Sequence, residues 1–216
     1  MPNQTFVNLP KERQEVIIET SLREFIVHDY ESASLNQVIN ELGIAKGSFY
    51  RYFDSKKDLY LYLIDYCIDK KFRYLSLYID ESCTDFFDMF KNLMCYFVKF
   101  NVEHPTNGKF MMKAHLNNDI SIDEFLFLKN GKEALTNIIL KFQKNGLLNN
   151  EYSVEFIFYC ISQILLDLGN YFKMTFGISE DELITKEKVD DRQMNLVFDQ
   201  VISFLKNGLN SKVIIN

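Results

Sequence analysis

Between Lys46 and Lys57 the chain sets four basic side chains, Lys46, Arg51, Lys56 and Lys57, against a single acid, Asp54. Ser48, Tyr50, Tyr52 and Ser55 stand among them. Cationic side chains, hydroxyls and the open N–H groups of a helix start are the donors that hold a phosphate backbone. The chemistry this stretch suits is recognition of a nucleic acid, with no bond made or broken. No phosphate-cradling glycine loop, nucleophile motif or paired-carboxylate set stands out elsewhere. The three histidines, His28, His104 and His115, lack metal-ligand spacing, so neither a metal nor a cofactor is expected.

Short helices must position these groups. Ser34 with Gln37 three residues on has the form of a capping box, which predicts a helix running to Leu42. Gly43 can take the left-handed turn that follows, with Ile44 as an apolar plug behind it. A second short helix is expected over 46–53, giving a helix–turn–helix. Phe49 and Phe53, four apart and on one face, are assigned to its core. Ser55 then caps a third helix, with Asp58 where a carboxylate favours a helix N-terminus. The stretch reads as a DNA-binding head.

The totals allow this only conditionally. The chain has 216 residues and a net charge of −6, which taken alone argues against a nucleic-acid partner. From Lys11 to Lys57 seven basic residues face eight acids, so only the 46–57 patch is basic. Binding must then rest on geometry and on use of the head twice in a homodimer. With 8 Gly and 3 Pro and an ordinary apolar share of 47%, long helices are favoured over strands and turns. Cys67, Cys83, Cys95 and Cys160 form no C-x-x-C pair and are expected as reduced thiols in a cytoplasmic protein. The first five residues lack the features of a signal peptide, and no apolar run approaches the roughly 18 residues of a membrane span.

In chain order, residues 1–9 read as a short arm and 11–28 as a helix with Ile18, Leu22 and Phe25 inward, stopped at Asp29. A long helix runs from Ser55 towards Tyr78. Phe86, Phe90, Leu93, Phe97 and Phe100 define another over 85–103, ended by His104-Pro105. Residues 109–116 are expected to be less regular, with a helix over 121–145 after them. Residues 152–176 are apolar all round, which predicts a helix covered on every side. A solvated stretch over 178–191, a helix over 192–207 and a loose tail complete the chain.

With these elements in order the chain resembles the TetR family of bacterial transcriptional regulators. Gly43-Ile44, Lys46-Gly47-Ser48, Phe49-Tyr50, Tyr52-Phe53 and Lys56 carry the resemblance, which is specific over about 11–62 and architectural beyond. It implies an all-α fold, with a three-helix helix–turn–helix DNA-binding domain over 1–55. A long helix joins that to a helical effector-binding and dimerisation domain over 56–216. Ala45, Lys46 and Gly47 would face base edges. Ser34, Leu35, Asn36, Ser48, Tyr50, Tyr52 and Lys56 would approach the DNA backbone, Asn36 also a base. Ala45 departs from the family's usual Ser or Thr, Asp29 from its usual glycine, and Ile39 and Leu42 from its common alanines.

The resemblance further implies a homodimer on a palindromic double-stranded operator, acting as a repressor and released by a small, mostly apolar effector. Phe90, Met94, Phe97, Met111, His115, Phe125, Tyr159 and Gln163 are the candidate effector residues. The dimer candidates are Leu165, Leu168, Val197, Val201 and Phe204. An effector-independent DNA-binding dimer, or an all-helical enzyme, is the alternative reading.

Overall fold

In a computed structural model the described residues are 2–78, 83–116, 127–178, 182 and 190–209, and every regular element among them is a helix. The helices are α1 (Gln4–Val7), α2 (Lys11–Val27), α3 (Leu35–Glu41), α4 (Lys46–Phe49), α5 (Lys56–Ser76), α6 (Phe86–Glu103), α7 (Pro105–Leu116), α8 (Phe127–Lys144), α9 (Val154–Phe176) and α10 (Asp191–Leu209). They fall into two compact units, Met1–Lys70 with His104–Phe127, and Lys71–Glu103 with Leu128–Asn216. The boundary at Lys70–Lys71 lies inside α5, so one helix is shared.

The first unit closes around Phe25, Phe49, Phe53, Leu59, Tyr60 and Leu63, all buried. Its last layer comes from α7, about fifty residues downstream of α4. Phe110, 1% exposed, meets Tyr60 edge-on at 5.4 Å and lies 6.4 Å from Phe25. The buried Asn107 accepts from Lys70 Nζ at 3.1 Å and donates to Cys67 Sγ at 3.2 Å, locking α7 onto α5. The expectation of an irregular segment over 109–116 is therefore corrected. Pro105 ends nothing that follows it. Its missing N–H costs nothing at the first helical position, so only His104 separates α6 from α7.

The second unit packs Phe90 and Met94 of α6 with Ile139 and Phe142 of α8, Ile157 and Ile161 of α9, and Val197 and Phe198 of α10. Asp85 Oδ1 accepts from the Phe87 and Asp88 N–H groups and so caps α6. Ser153 Oγ does the same for α9, from Phe156 N–H at 3.2 Å. Gly177 ends α9 at φ +67°, a conformation that costs a side chain dearly. The buried Gln143 donates to the carbonyls of Asn149 and Tyr152, both at 2.9 Å, which fixes the α8–α9 connection.

Three smaller expectations change. The arm over 1–9 contains a helical turn whose Phe6 is 1% exposed. The helix expected to be covered all round presents Phe156, Tyr159 and Met174 to solvent. The final helix reaches Leu209, which is buried, so only 210–216 of the expected tail lie outside the described residues, as do most of 178–191. Truncating the α7 side chain by Phe110→Ala is expected to destabilise the chain by about 3–5 kcal/mol in urea unfolding. An unchanged midpoint would exclude α7 from that core.

Candidate nucleic-acid interface

The expected capping box at α3 does not form. Ser34 is the N-cap residue, but its side chain makes no capping bond. Its N–H, the donor that Gln37 would have served, goes instead to Glu24 Oε1 on α2 at 2.7 Å. A carboxylate from a neighbouring helix outcompetes a neutral amide on the same helix, because a charged acceptor makes the stronger bond. The reciprocal pair sits at α5, where Ser55 Oγ accepts from Asp58 N–H at 3.1 Å and donates to its carboxylate at 2.8 Å.

Between α3 and α4 two backbone bonds close the turn. Gly43 at φ +63° lets its N–H reach Asn40 O at 3.1 Å, and Ile44 N–H reaches Ile39 O at 3.3 Å. These two bonds are the double closure by which a left-handed residue ends a helix. Ala45 then starts α4 from an extended conformation without a side-chain cap, as its methyl requires.

α4 is one turn long, ending at Phe49 rather than Phe53, with a looser turn through Tyr52. A helix this short has no stability of its own. It is held by its back: Phe49 and Phe53 are both 0% exposed, with ring centroids 5.9 Å apart. Its front stays open. Ala45, Lys46, Gly47 and Tyr50 are exposed, Ser48 and Tyr52 half-buried. A Cβ added at Gly47 would meet no atom within 4 Å, so the fold of this chain does not itself require glycine there. At the start of α3, Asn36 is exposed while Ser34 and Leu35 are half-buried.

Lys56 is more committed than a surface lysine. Its Nζ donates to Glu31 O at 3.0 Å and Ala33 O at 3.2 Å and lies 4.9 Å from the Tyr30 ring centre. The same loop is gripped from its other end by Lys113 of α7, which donates to Ile26 O and pairs with Asp29, both at 3.0 Å. Asp29 O also accepts from Ala33 N–H at 2.8 Å. Two lysines from different helices thus shape the loop leading into α3. Lys113 carried no motif in the sequence, and its role depends on α7 packing beside α2. Burial, and to a lesser degree neighbouring Tyr66, pushes the Tyr62 phenol up to about 12. Its ring packs 5.4 Å from Phe53, just after α4.

The described effector candidates divide between the two units. Phe90, Met94 and Phe97 are buried in the second unit's core, whereas Met111 packs against the first unit's. Tyr159 and Gln163 are exposed on α9. The side chain of His115 and all of Phe125 lie outside the described residues. The second unit does carry an apolar crevice among Leu75, Tyr78, Met89, Leu93 and Leu135.

Leu165, Leu168 and Val197, expected at a dimer interface, are instead buried in their own unit's core, with Val201 packed against it. Phe204, by contrast, is 76% exposed. Alongside it the outward faces of α9 and α10 carry Phe156, Tyr159, Met174 and Leu196. Tyr171 Oη donates to Gln200 Oε1 at 2.8 Å, joining the two faces. The burial pushes the Cys95 thiol up, away from the reactive thiolate.

Residues 17–63, which span the turn, α4 and the start of α5, match the family model "Bacterial regulatory proteins, tetR family". The HTH-type transcriptional regulator YuxN of Bacillus subtilis (strain 168) is 44% identical over 62 residues, 29% of this chain and 21% of that protein. The HTH-type transcriptional regulator SAR2658 of Staphylococcus aureus (strain MRSA252) is 28% identical over 94 residues, 44% of this chain and 50% of that one. The chain thus spans from a fifth to about half the length of the curated relatives it matches. A crystal structure of a TetR family transcriptional regulator from Chloroflexus aurantiacus J-10-FL superposes with a TM-score of 0.71. It is 30% identical, with 97% of this chain and 99% of that one covered. A match of that identity over both whole chains extends beyond the helix–turn–helix, and the chain belongs to the TetR family of bacterial transcriptional regulators.

Proposed function

We propose that the chain is a repressor that binds a palindromic operator as a homodimer and is released by a small, mostly apolar effector. Residues 1–55 serve as the DNA-binding domain and 56–216 as the effector and dimerisation domain. The observation that carries the DNA-binding reading is the two-sidedness of α4. Its aromatic residues are buried behind it, and its N-terminal turn, Ala45-Lys46-Gly47, is left open. Lys46 and Gly47 suit base edges in a major groove, with Ala45 beside them. Tyr50, Tyr52, Ser48 and the start of α3 (Ser34, Leu35, Asn36) suit the flanking phosphates. Lys56 serves first by shaping the α2–α3 loop; two of its three ammonium protons are used there, leaving one for a phosphate.

The exposed face of α9 and α10 supports the dimer. Large apolar side chains exposed on two helices that pack together suit an interaction site, and a two-fold axis lets such a face cover its own copy. In this reading Phe204 keeps its expected place, joined by Phe156, Tyr159 and Met174. Leu165, Leu168 and Val197 support the interface only by packing α9 and α10 together. For the effector, the apolar walls of the second unit's narrow crevice, Leu75, Met89, Leu93 and Leu135, are in keeping with an uncharged ligand. Such a ligand acts on DNA only through a different affinity for the DNA-bound and free states. The covalent routes available to it are α5, which both units share, and α7, whose flanking helices belong to the other unit.

No described helix is long and apolar enough to cross a membrane. A cytoplasmic site of action is part of this proposal.

Three outcomes are expected. Lys46→Ala lowers affinity for the preferred duplex about tenfold, relaxes sequence preference and reduces the salt slope by about one. Equal loss on preferred and random duplexes would remove Lys46 from the base edges. Gly47→Ala leaves thermal stability equal or higher, by about 0.5–1 kcal/mol, yet weakens binding. Unchanged binding would place DNA farther from α4. Phe204→Glu converts a dimer to a monomer in sedimentation, and a persisting dimer would move the interface away from this face.

A further inference from the structure

We propose that the segment before α2 is a working part of the DNA-reading head, in which Asn3 is a positioning residue for the end of the recognition helix. The inference rests on the DNA-binding reading of α4 and goes beyond it. Asn3 occupies the N-cap position of α1, where an asparagine side chain ordinarily accepts an N–H from its own helix. Here it makes no such bond. Its amide donates to Asp54 Oδ1 at 2.8 Å, and its backbone N–H donates to Tyr52 O at 2.9 Å. Both acceptors lie in the turn that carries the chain from α4 to α5.

The segment is able to hold that turn because it is itself fixed at both ends. Phe6 enters the core with its ring centre 4.9 Å from Phe53, 5.3 Å from Tyr62 and 6.2 Å from Tyr52. Gln14 of α2 donates to Val7 O at 3.0 Å and Leu9 O at 2.9 Å. α4 is one turn long and takes its position from outside contacts, so a strap on its exit sets where Tyr50 and Tyr52 stand. The charge of Asp54 gives the bond a second consequence. Asp54 is the one acid between Lys46 and Lys57, and a carboxylate in that patch repels phosphate. The Asn3 amide keeps that carboxylate oriented towards the strap.

The test uses the full chain, with fluorescence anisotropy on a duplex selected by the wild type from a randomised library and thermal unfolding run in parallel. Asn3→Ala is expected to weaken binding about threefold to tenfold by releasing the turn that carries Tyr52, with the melting temperature within about 2 °C of wild type because the bond is solvent-exposed. Asn3→Asp, which sets a second carboxylate against Asp54, is expected to weaken it further. In an Asp54→Ala background that extra penalty shrinks to the repulsion of a single carboxylate from phosphate. A purely structural role would instead give losses that track melting temperature and do not depend on Asp54. Asn3→Ala binding within twofold of wild type, or an Asn3→Asp penalty undiminished by Asp54→Ala, would overturn the inference while leaving the DNA-binding reading intact. A wild-type chain that enriches no duplex overturns both.

Discussion

The structure depends on the burial of two phenylalanines behind a helix too short to stand alone. Four residues of α-helix gain too few backbone bonds to offset the entropy of ordering them. Phe49 and Phe53 supply the difference, each fully withdrawn from water, and burial of such a side chain contributes about 1.5–3 kcal/mol. With its back committed to the core, α4 cannot turn without exposing Phe49, and the same anchoring leaves its N-terminal residues open. Gly43 and Ile44 fix the entry to this turn, and Tyr52 and Asp54, held by Asn3, fix the exit. Rigidity of the reading surface is therefore borrowed from the whole unit.

That unit is not contiguous in sequence. α7 completes its core with Phe110 and Ala114, and Lys113 reaches the last turn of α2. The loop between α2 and α3 is consequently held by Lys113 from one helix and Lys56 from another. Neither ion is a simple surface charge, and removing either would leave carbonyl groups of that loop to be satisfied by water. Both ends of α7 return to helices of the second unit, so the head carries within its own core an element tied by covalent bonds to the other unit. In the effector-released repressor proposed above, a shift in this element changes the packing of the head directly.

Local features were legible in the sequence, and features decided by competition between elements were not. Gly43 announced a left-handed residue, and the spacing of Phe49 and Phe53 announced one buried face; both depend on residues within a few positions. The Ser34–Gln37 box failed because Glu24, ten residues away, is the stronger acceptor. α7 was missed because a proline that ends one helix can equally begin the next. The dimer residues show the limit most plainly. Periodicity marked 152–176 as apolar all round and the last helix as apolar on one face, but it could not say which of these residues the chain covers itself. Leu165, Leu168 and Val197 face its own core, while Phe204 and Met174 face out. For the effector candidates the same ambiguity holds: Phe and Met content marks a core or a cavity equally well.

The central claim is that a rigid one-turn helix, presented twice by a symmetric dimer, reads DNA. Its most direct measurement is selection of bound duplexes from a fully randomised library by the full chain, followed by the stoichiometry of the selected complex. The account predicts an inverted repeat whose half-site centres lie about 34–36 Å or a multiple apart, bound by chains in pairs. Enrichment of an unsymmetrical site by a single chain, or no enrichment at all, would contradict it.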